Sequence, residues 1–333
     1  MDISNTSELK ACARRRLRDA GQAKRIVTVY AGVTLGLSAL VTLVGALLDL
    51  RIAQATGLGG MGLRTVLSSV QSLLPILSAV ASLCLEVGYQ AAMLRVARGQ
   101  YASVQTLRLG FDRFWVLLRS VAIQGLILSG IAFGGVYLAA MLFMFTPFAE
   151  RVVELMAPAL QNASVLNAEI VLDEALYSQL MQAMIPAFLL GAVVVALLAA
   201  PVMFRFRMVH FVIIDKPGTG AMAALRESRR MMKGNCLRLL KLDIGLWKYY
   251  AAAALAGLIC YADMLLPLAG VNLPWSSSVS YYLFFALYLA VQFAVYYFLR
   301  NPAEAAYAIA YDAIRPKASG DSGAVLGNIF NMG

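Results

Sequence analysis

The chain has 333 residues, of which 61% are hydrophobic and only 14% charged, with a mean hydropathy of +0.73. That balance excludes an ordinary water-soluble domain, whose apolar stripes are broken by charge at every helical turn. The net charge of +10 is split among short segments between apolar runs, which makes a nucleic-acid partner the poorer reading. The four cysteines fit no zinc spacing and no disulfide framework, and read as small buried hydrophobes.

In chain order, the first expected element is a short basic helix. Leu9, Ala13, Leu17 and Ala20 recur at helical spacing, while Arg14, Arg15 and Arg18 fall elsewhere on the wheel. An uncharged run from Ile26 to Leu48 follows. A bilayer core about 30 Å thick needs roughly 20 apolar residues per crossing, at about 1.5 Å of rise each. This run is therefore the first crossing; it is too long for the apolar part of a cleaved leader. Gly57 to Gly62 is glycine-rich but lacks the strand-to-helix context of a phosphate loop, and reads as an outer turn. Thr65 to Leu85 is the second crossing. Leu107, Phe111 and Phe114 then mark another amphipathic segment behind a cap at Ser103, ahead of a third crossing from Ser120 to Ala149.

The outer loop, about Thr146 to Gln182, carries Glu150, Glu154, Glu169, Asp173 and Glu174 against Arg151 alone. Val152, Val153, Leu155 and Met156 within it predict a short surface helix. Ala175 to Phe204 is the fourth crossing. The sharpest amphipathic pattern lies at Ala221 to Lys233. Ala221, Ala224, Leu225, Ser228, Met231 and Met232 share one face, Arg226, Arg229, Arg230 and Lys233 the other, and Gly234 is placed to stop the helix. The fifth crossing runs from Ile244 to near Leu268, and the sixth from near Ser278 to Leu299. Asn301-Pro302 with Glu304 reads as a cap opening a separate final helix.

Lys and Arg counts set the expected orientation. Seven lie in the segment to Arg25, five between Arg95 and Arg119, nine between Arg205 and Lys241 and three from Arg300 onward, so 24 of 28 fall on one side. The expected architecture is all-α: a polytopic six-helix transmembrane bundle with both termini cytoplasmic. Cytoplasmic interfacial amphipathic helices precede helices 1, 3 and 5. Their apolar faces would sink into the acyl boundary while their cations meet anionic headgroups. Residues 1–315 read as one integral membrane domain, and 316–333 as a flexible cytoplasmic tail.

The stretch from Phe204 to Trp247 resembles the signature region of a bacterial membrane-protein family catalogued as domain of unknown function 975. The matching positions are Asp215 and Pro217, then Ala224, Leu225 and Ser228, then Met232, Lys233 and Gly234, then Leu242, Asp243 and Trp247. Two flanking echoes are SELK at Ser7 to Lys10 and GYQAAMLRVARGQ ahead of Gly110-Phe111. A Pro-Tyr pair expected near the last helix is replaced by Asn301-Pro302. The resemblance implies this fold and a bacterial inner (cytoplasmic) membrane, and carries no biochemical role.

Ionisable groups inside spans are the default candidates for function. Glu86 lies nine residues inside Arg95, about 13 Å deep at the helical rise. Lys248 sits at similar depth on the fifth helix and is the expected partner of Glu86; Asp243 is shallower and points elsewhere. A structural ion pair, or a snorkelling lysine, is favoured over a proton or substrate relay. A protonated, hydrogen-bonded Glu86 is the competing outcome. Arg205, Arg207 and the single histidine, His210, mark the inner end of the fourth helix as headgroup anchors, joined by Arg226, Arg229, Arg230 and Lys233. No catalytic triad, metal site or cofactor motif is legible. Two functions remain: a non-enzymatic membrane protein engaging anionic phospholipid or a small envelope protein or peptide, and a transporter with a polar path. A lipid-modifying enzyme is a distant third.

Overall fold

The computed structural model describes residues 6–55, 57–166, 174–268, 271 and 277–315, and among them every regular element is helical. The expected tail, 316–333, lies outside the described residues. The chain divides into two compact units, Met1–Leu118 with Met208–Gly333, and Arg119–Arg207.

The first unit begins with α1 (Thr6–Asp19), α2 (Ala23–Gln54) and α3 (Gly57–Ala97). Because α3 starts at Gly57, the glycine-rich segment expected as a turn forms the first turns of a helix instead. A 3₁₀ segment (Val104–Arg108) and the single turn α4 (Leu109–Asp112) follow, with α5 (Phe114–Phe143) beginning immediately after. Two glycines let this connector lie against α3. A Cβ on Gly88 would stand 2.1 Å from the Leu107 carbonyl oxygen, and one on Gly110 would stand 1.8 Å from that of Cys84. The amphipathic helix expected there is thus a 3₁₀ turn and one α turn. Leu107 is buried, whereas Phe111 is exposed.

The second unit holds the body of α5, then α6 (Pro147–Leu166) and α7 (Glu174–Phe206). Pro147 opens α6, where a missing N–H costs nothing, and Glu150 meets the positive end of the helix dipole. That helix covers the residues expected to form a short helix in the outer loop, and extends well past them.

Back in the first unit come α8 (Val209–Asp215), α9 (Ala221–Met232), α10 (Cys236–Gly245), α11 (Trp247–Cys260) and α12 (Ala262–Leu268). Then α13 (Ser277–Val295) passes through a π turn (Tyr296–Arg300) directly into α14 (Asn301–Ile314). The expected stop at Asn301-Pro302 is therefore not a stop. Pro302 lacks the N–H that would bond one turn back, and the wider π turn just ahead of it accommodates the gap.

Among the described residues, five helices are long and apolar enough to cross a membrane: Ala23–Gln54, Met61–Ala97, Phe114–Phe143, Gln182–Asp215 and Val279–Ile314. Between none and 17% of the residues in their most apolar stretches are buried inside the protein. A large aliphatic side chain left in water forgoes about 1.5–3 kcal/mol of burial, so these surfaces fit a membrane protein. The expected fifth crossing is in pieces. Its helices α10, α11 and α12 are joined through single non-helical residues, Leu246 and Tyr261, and α11 alone has 14 residues. That is about 21 Å, short of a bilayer core.

The buried core of the first unit sits at one end. In α2 it takes Ile26, Val27, Tyr30, Ala31 and Leu35, all in the N-terminal half; in α3 it takes Cys84, Val87, Tyr89, the run from Ala91 to Leu94, and Val96. Beyond them Leu40, Leu43, Leu47, Leu73, Ile76 and Leu77 are exposed. Helices α1, α8, α9, α10 and α14 gather around that buried end, which is also the cation-rich end.

The face expected on α9 is the buried one: Ala221, Ala224, Leu225, Ser228, Met231 and Met232 are the buried residues of that helix, and Gly234 follows at φ +86°. What covers that face differs from expectation. It packs against α8 and the protein core, so it is not free to enter the acyl layer. The apolar face of α1 behaves alike, with Leu9 and Ala13 buried as α1 packs on α14. Both helices belong to the fold and are not an inserted fringe.

Candidate functional site

A stripe of polar side chains on α14 and the turn before it organises the first unit. Arg300, Glu304, Tyr307, Tyr311 and Arg315 recur at intervals of four, three, four and four residues, which puts them on one helical face. The alanines 303, 305, 306, 308 and 310 are buried between them, letting neighbouring helices approach closely. Three polar clusters hang from this stripe.

The deepest centres on Arg300, whose side chain is 6% exposed. One guanidinium nitrogen donates to Glu86 Oε1 at 2.7 Å. Glu304 lies one turn on, at 3.8 Å from Nε, an ion contact too long for a hydrogen bond, and Nε has no hydrogen-bond partner among the described residues. The guanidinium carbon sits over the rings of Tyr296, Tyr30 and Tyr89 at 4.7, 5.0 and 5.8 Å. Tyr30 and Tyr89 stack on each other at 4.5 Å, and the Tyr89 hydroxyl donates to Asn301 Oδ1 at 3.1 Å. Asn301 therefore holds a tyrosine and does not cap a helix. A desolvated cation over aromatic faces gains on the order of 2 kcal/mol.

The second cluster joins α3, α8 and α14. Arg98 bonds Asp312 through Nε and Nη2, and Asp215 through Nη1 at 2.7 Å. Arg315 reaches Asp215 at 3.3 Å and Asp312 at 3.4 Å, and the Tyr311 hydroxyl donates to Asp215 at 3.1 Å. Burial works against the charge on Arg98, but its hydrogen bonds to the two carboxylates outweigh that and hold the guanidinium above its ordinary value. In the third cluster Asp243 accepts from the Tyr307 hydroxyl at 2.5 Å, and Tyr307 shares a 2.6 Å hydrogen bond with Tyr250.

Of the residues expected to act inside the membrane, Glu86 has a partner on another helix, but it is Arg300 and not Lys248. Lys248 is exposed and makes no ion pair among the described residues, which favours its snorkelling reading. Asp243 is held by tyrosine hydroxyls. The exposed face of α9 carries Arg226, Arg229, Arg230 and Lys233. Arg205 is exposed; Arg207 is half-buried, its guanidinium 5.9 Å from the Phe204 ring centroid. No three His, Cys, Asp or Glu side chains among the described residues come together as a metal site.

Sequence reasoning missed Arg300, Arg98, Asp312 and the three tyrosines of the deep cluster. The four-three-four spacing from Arg300 was the signal that could have found the stripe.

The residues that carried the resemblance have structural work. Asp215 receives two arginines and a tyrosine; Ser228 Oγ, fully buried, accepts the Met208 N–H at 3.3 Å. The Pro217 carbonyl accepts from Arg113, and Lys10 Nζ donates to the Gly245 carbonyl at 3.0 Å. The sequence profile of a protein family of unknown function, DUF975, matches residues 1–312. The chain belongs to that family. No curated protein and no solved structure matches it. For this DUF975 member, the matched region takes in all three clusters but for Arg315.

Proposed function

We propose that this is a non-enzymatic, multi-pass protein of a bacterial cytoplasmic membrane that gathers anionic phospholipid through a fixed basic rim. In this reading the chain crosses six times, with α10 to α12 acting together as the fifth crossing, and both termini are cytoplasmic. The observation that carries it is the disposition of α9. Its apolar face is locked into the protein, so Arg226, Arg229, Arg230 and Lys233 are held outward as a rigid array. Cations near an anionic leaflet gain about 1 kcal/mol each.

Six crossings put the two ends of the chain on one side, and five put them on opposite sides. Reporter fusions at Gln161 and Lys317 should read outside and inside respectively; one compartment for both would end the six-crossing reading. For the rim, the triple change of Arg226, Arg229 and Arg230 to Gln is expected to lower enrichment of spin-labelled phosphatidylglycerol around the protein about tenfold at low salt. Equal enrichment by wild type and triple variant would refute the lipid reading.

Transport is the second reading. What supports it is Glu86, its side chain 37% exposed while its partner Arg300 is buried, beside a π turn within a long span. Substrate flux abolished by Glu86→Gln, with lipid enrichment intact, would favour transport.

A further inference from the structure

Where α1 meets α2, against the end of α3, the first unit holds a half-open cavity of about 500 Å³. Its lining includes Arg16, Asp19, Gln22, Gly99, Gln100 and Tyr101. Arg16 and Asp19 present opposite charges to the same space. Among the described residues neither makes an ion pair, with the other or with anything else.

Two details shape the cavity. Gln22 Nε2 donates to the Tyr101 hydroxyl oxygen at 2.9 Å, which leaves the Tyr101 proton free to be donated onward. Gly99 closes α3 in the left-handed conformation at φ +70°, with Gln100 N–H bonded to the Arg95 carbonyl at 2.8 Å. A Cβ at Gly99 would stand 2.9 Å from Arg16 Nη1, so the glycine also keeps open the position that the guanidinium occupies.

We infer that this cavity is a binding site for a zwitterionic phosphoethanolamine group, with its phosphate on Arg16 and Tyr101 and its ammonium on Asp19. Arg16 offers a planar donor fork suited to phosphate oxygens. Asp19 only accepts, which suits a primary ammonium with three donors. A purely anionic headgroup would leave Asp19 facing like charge, so the aspartate selects against it. The site rests on the reading of the protein as lipid-engaging, but uses residues separate from the α9 rim.

The test uses the full chain in detergent micelles, with bound molecules counted by native mass spectrometry. The probes are short-chain phosphatidylethanolamine, short-chain phosphatidylglycerol, free O-phosphoethanolamine and inorganic phosphate. The expected result is one phosphatidylethanolamine per chain, held at least tenfold tighter than phosphatidylglycerol. Arg16→Ala should weaken it tenfold or more and Tyr101→Phe several-fold. Asp19→Asn should erase the preference for phosphatidylethanolamine over phosphatidylglycerol. Tyr101 is largely exposed, so its variant keeps the test available if Arg16→Ala fails to fold.

Free O-phosphoethanolamine bound as tightly as the lipid would show a soluble phosphoethanolamine site and sustain the assignment of the group. Inorganic phosphate bound equally well, or an Asp19→Asn protein with unchanged selectivity, would overturn it. The triple rim variant separates the two ideas. Phosphatidylethanolamine binding that survives in it, while wild type shows no phosphatidylglycerol enrichment, leaves this site standing and the rim reading refuted.

Discussion

Replacing Arg300 by methionine is expected to destabilise the protein by about 3–5 kcal/mol, the range for removing one partner of a buried ion pair, because it strands the Glu304 carboxylate, 11% exposed. Methionine fills similar volume, so a cavity is not the cause. The change deprives Glu86 and Glu304 of their shared cation and strips three tyrosine rings of the charge they face. Arg300→Lys should fall between, since an ammonium keeps the charge but loses the planar face that covers Tyr30 and Tyr296. Pairing Arg300→Met with Glu86→Gln should recover part of the loss, because removing both partners costs less than stranding one. Glu86→Gln alone should be milder, because the buried guanidinium keeps Glu304 at 3.8 Å and the faces of its three tyrosines. Thermal unfolding in detergent, followed by tyrosine and tryptophan fluorescence, reads all four. An Arg300→Met protein as stable as wild type would show that the cluster is no keystone.

The parts of this architecture that were legible in the sequence are those governed by local periodicity. Five of the apolar runs lie in helices of spanning length, and the α9 face was fixed residue by residue, because a 3.6-residue repeat depends on the chain's own geometry. Periodicity does not say what covers a face. Lipid and protein interior are alike apolar, so the burial of Met231 and Met232 under the protein's own helices could not be distinguished from insertion in a bilayer.

The partner of Glu86 was missed for a related reason. A charge ending an apolar run reads as the membrane boundary, and Asn301-Pro302 as a fresh helix start. Both inferences are sound for an ordinary helix. The π turn at Tyr296–Arg300 lets the helix run through the proline, carrying Arg300 into the core. Since π turns have no compositional signature, only the polar stripe at Arg300, Glu304, Tyr307, Tyr311 and Arg315 pointed to a continuous buried helix. The cavity beside Arg16 was invisible for another reason: its walls come from segments about 80 residues apart.

Gly110→Ala carries the other large expected effect, and its sign is opposite to the usual one. Glycine to alanine in a helix ordinarily stabilises, by about 0.5–1 kcal/mol. At Gly110 the new methyl would lie 1.8 Å from the Cys84 carbonyl oxygen and 2.7 Å from its carbon, and at Gly88 it would lie 2.1 Å from the Leu107 oxygen. Both obstacles are backbone, so no rotamer change relieves them. The connector must lift off α3 by more than an ångström, and overpacking of this kind costs about 1–3 kcal/mol or more. Gly36, on α2, has no atom within 4 Å of its would-be Cβ and serves as the control. Gly36→Ala should raise Tm slightly while Gly110→Ala and Gly88→Ala lower it. The two harmful changes together should cost less than their sum, because one displacement relieves both clashes. Cys84 gives a second readout: it is buried against this connector, so lifting the connector should expose it to maleimide. A Gly110→Ala protein with wild-type Tm and an unreactive Cys84 would mean that the connector does not rest on α3, and that the GYQAAMLRVARGQ echo ahead of Gly110-Phe111 needs another explanation.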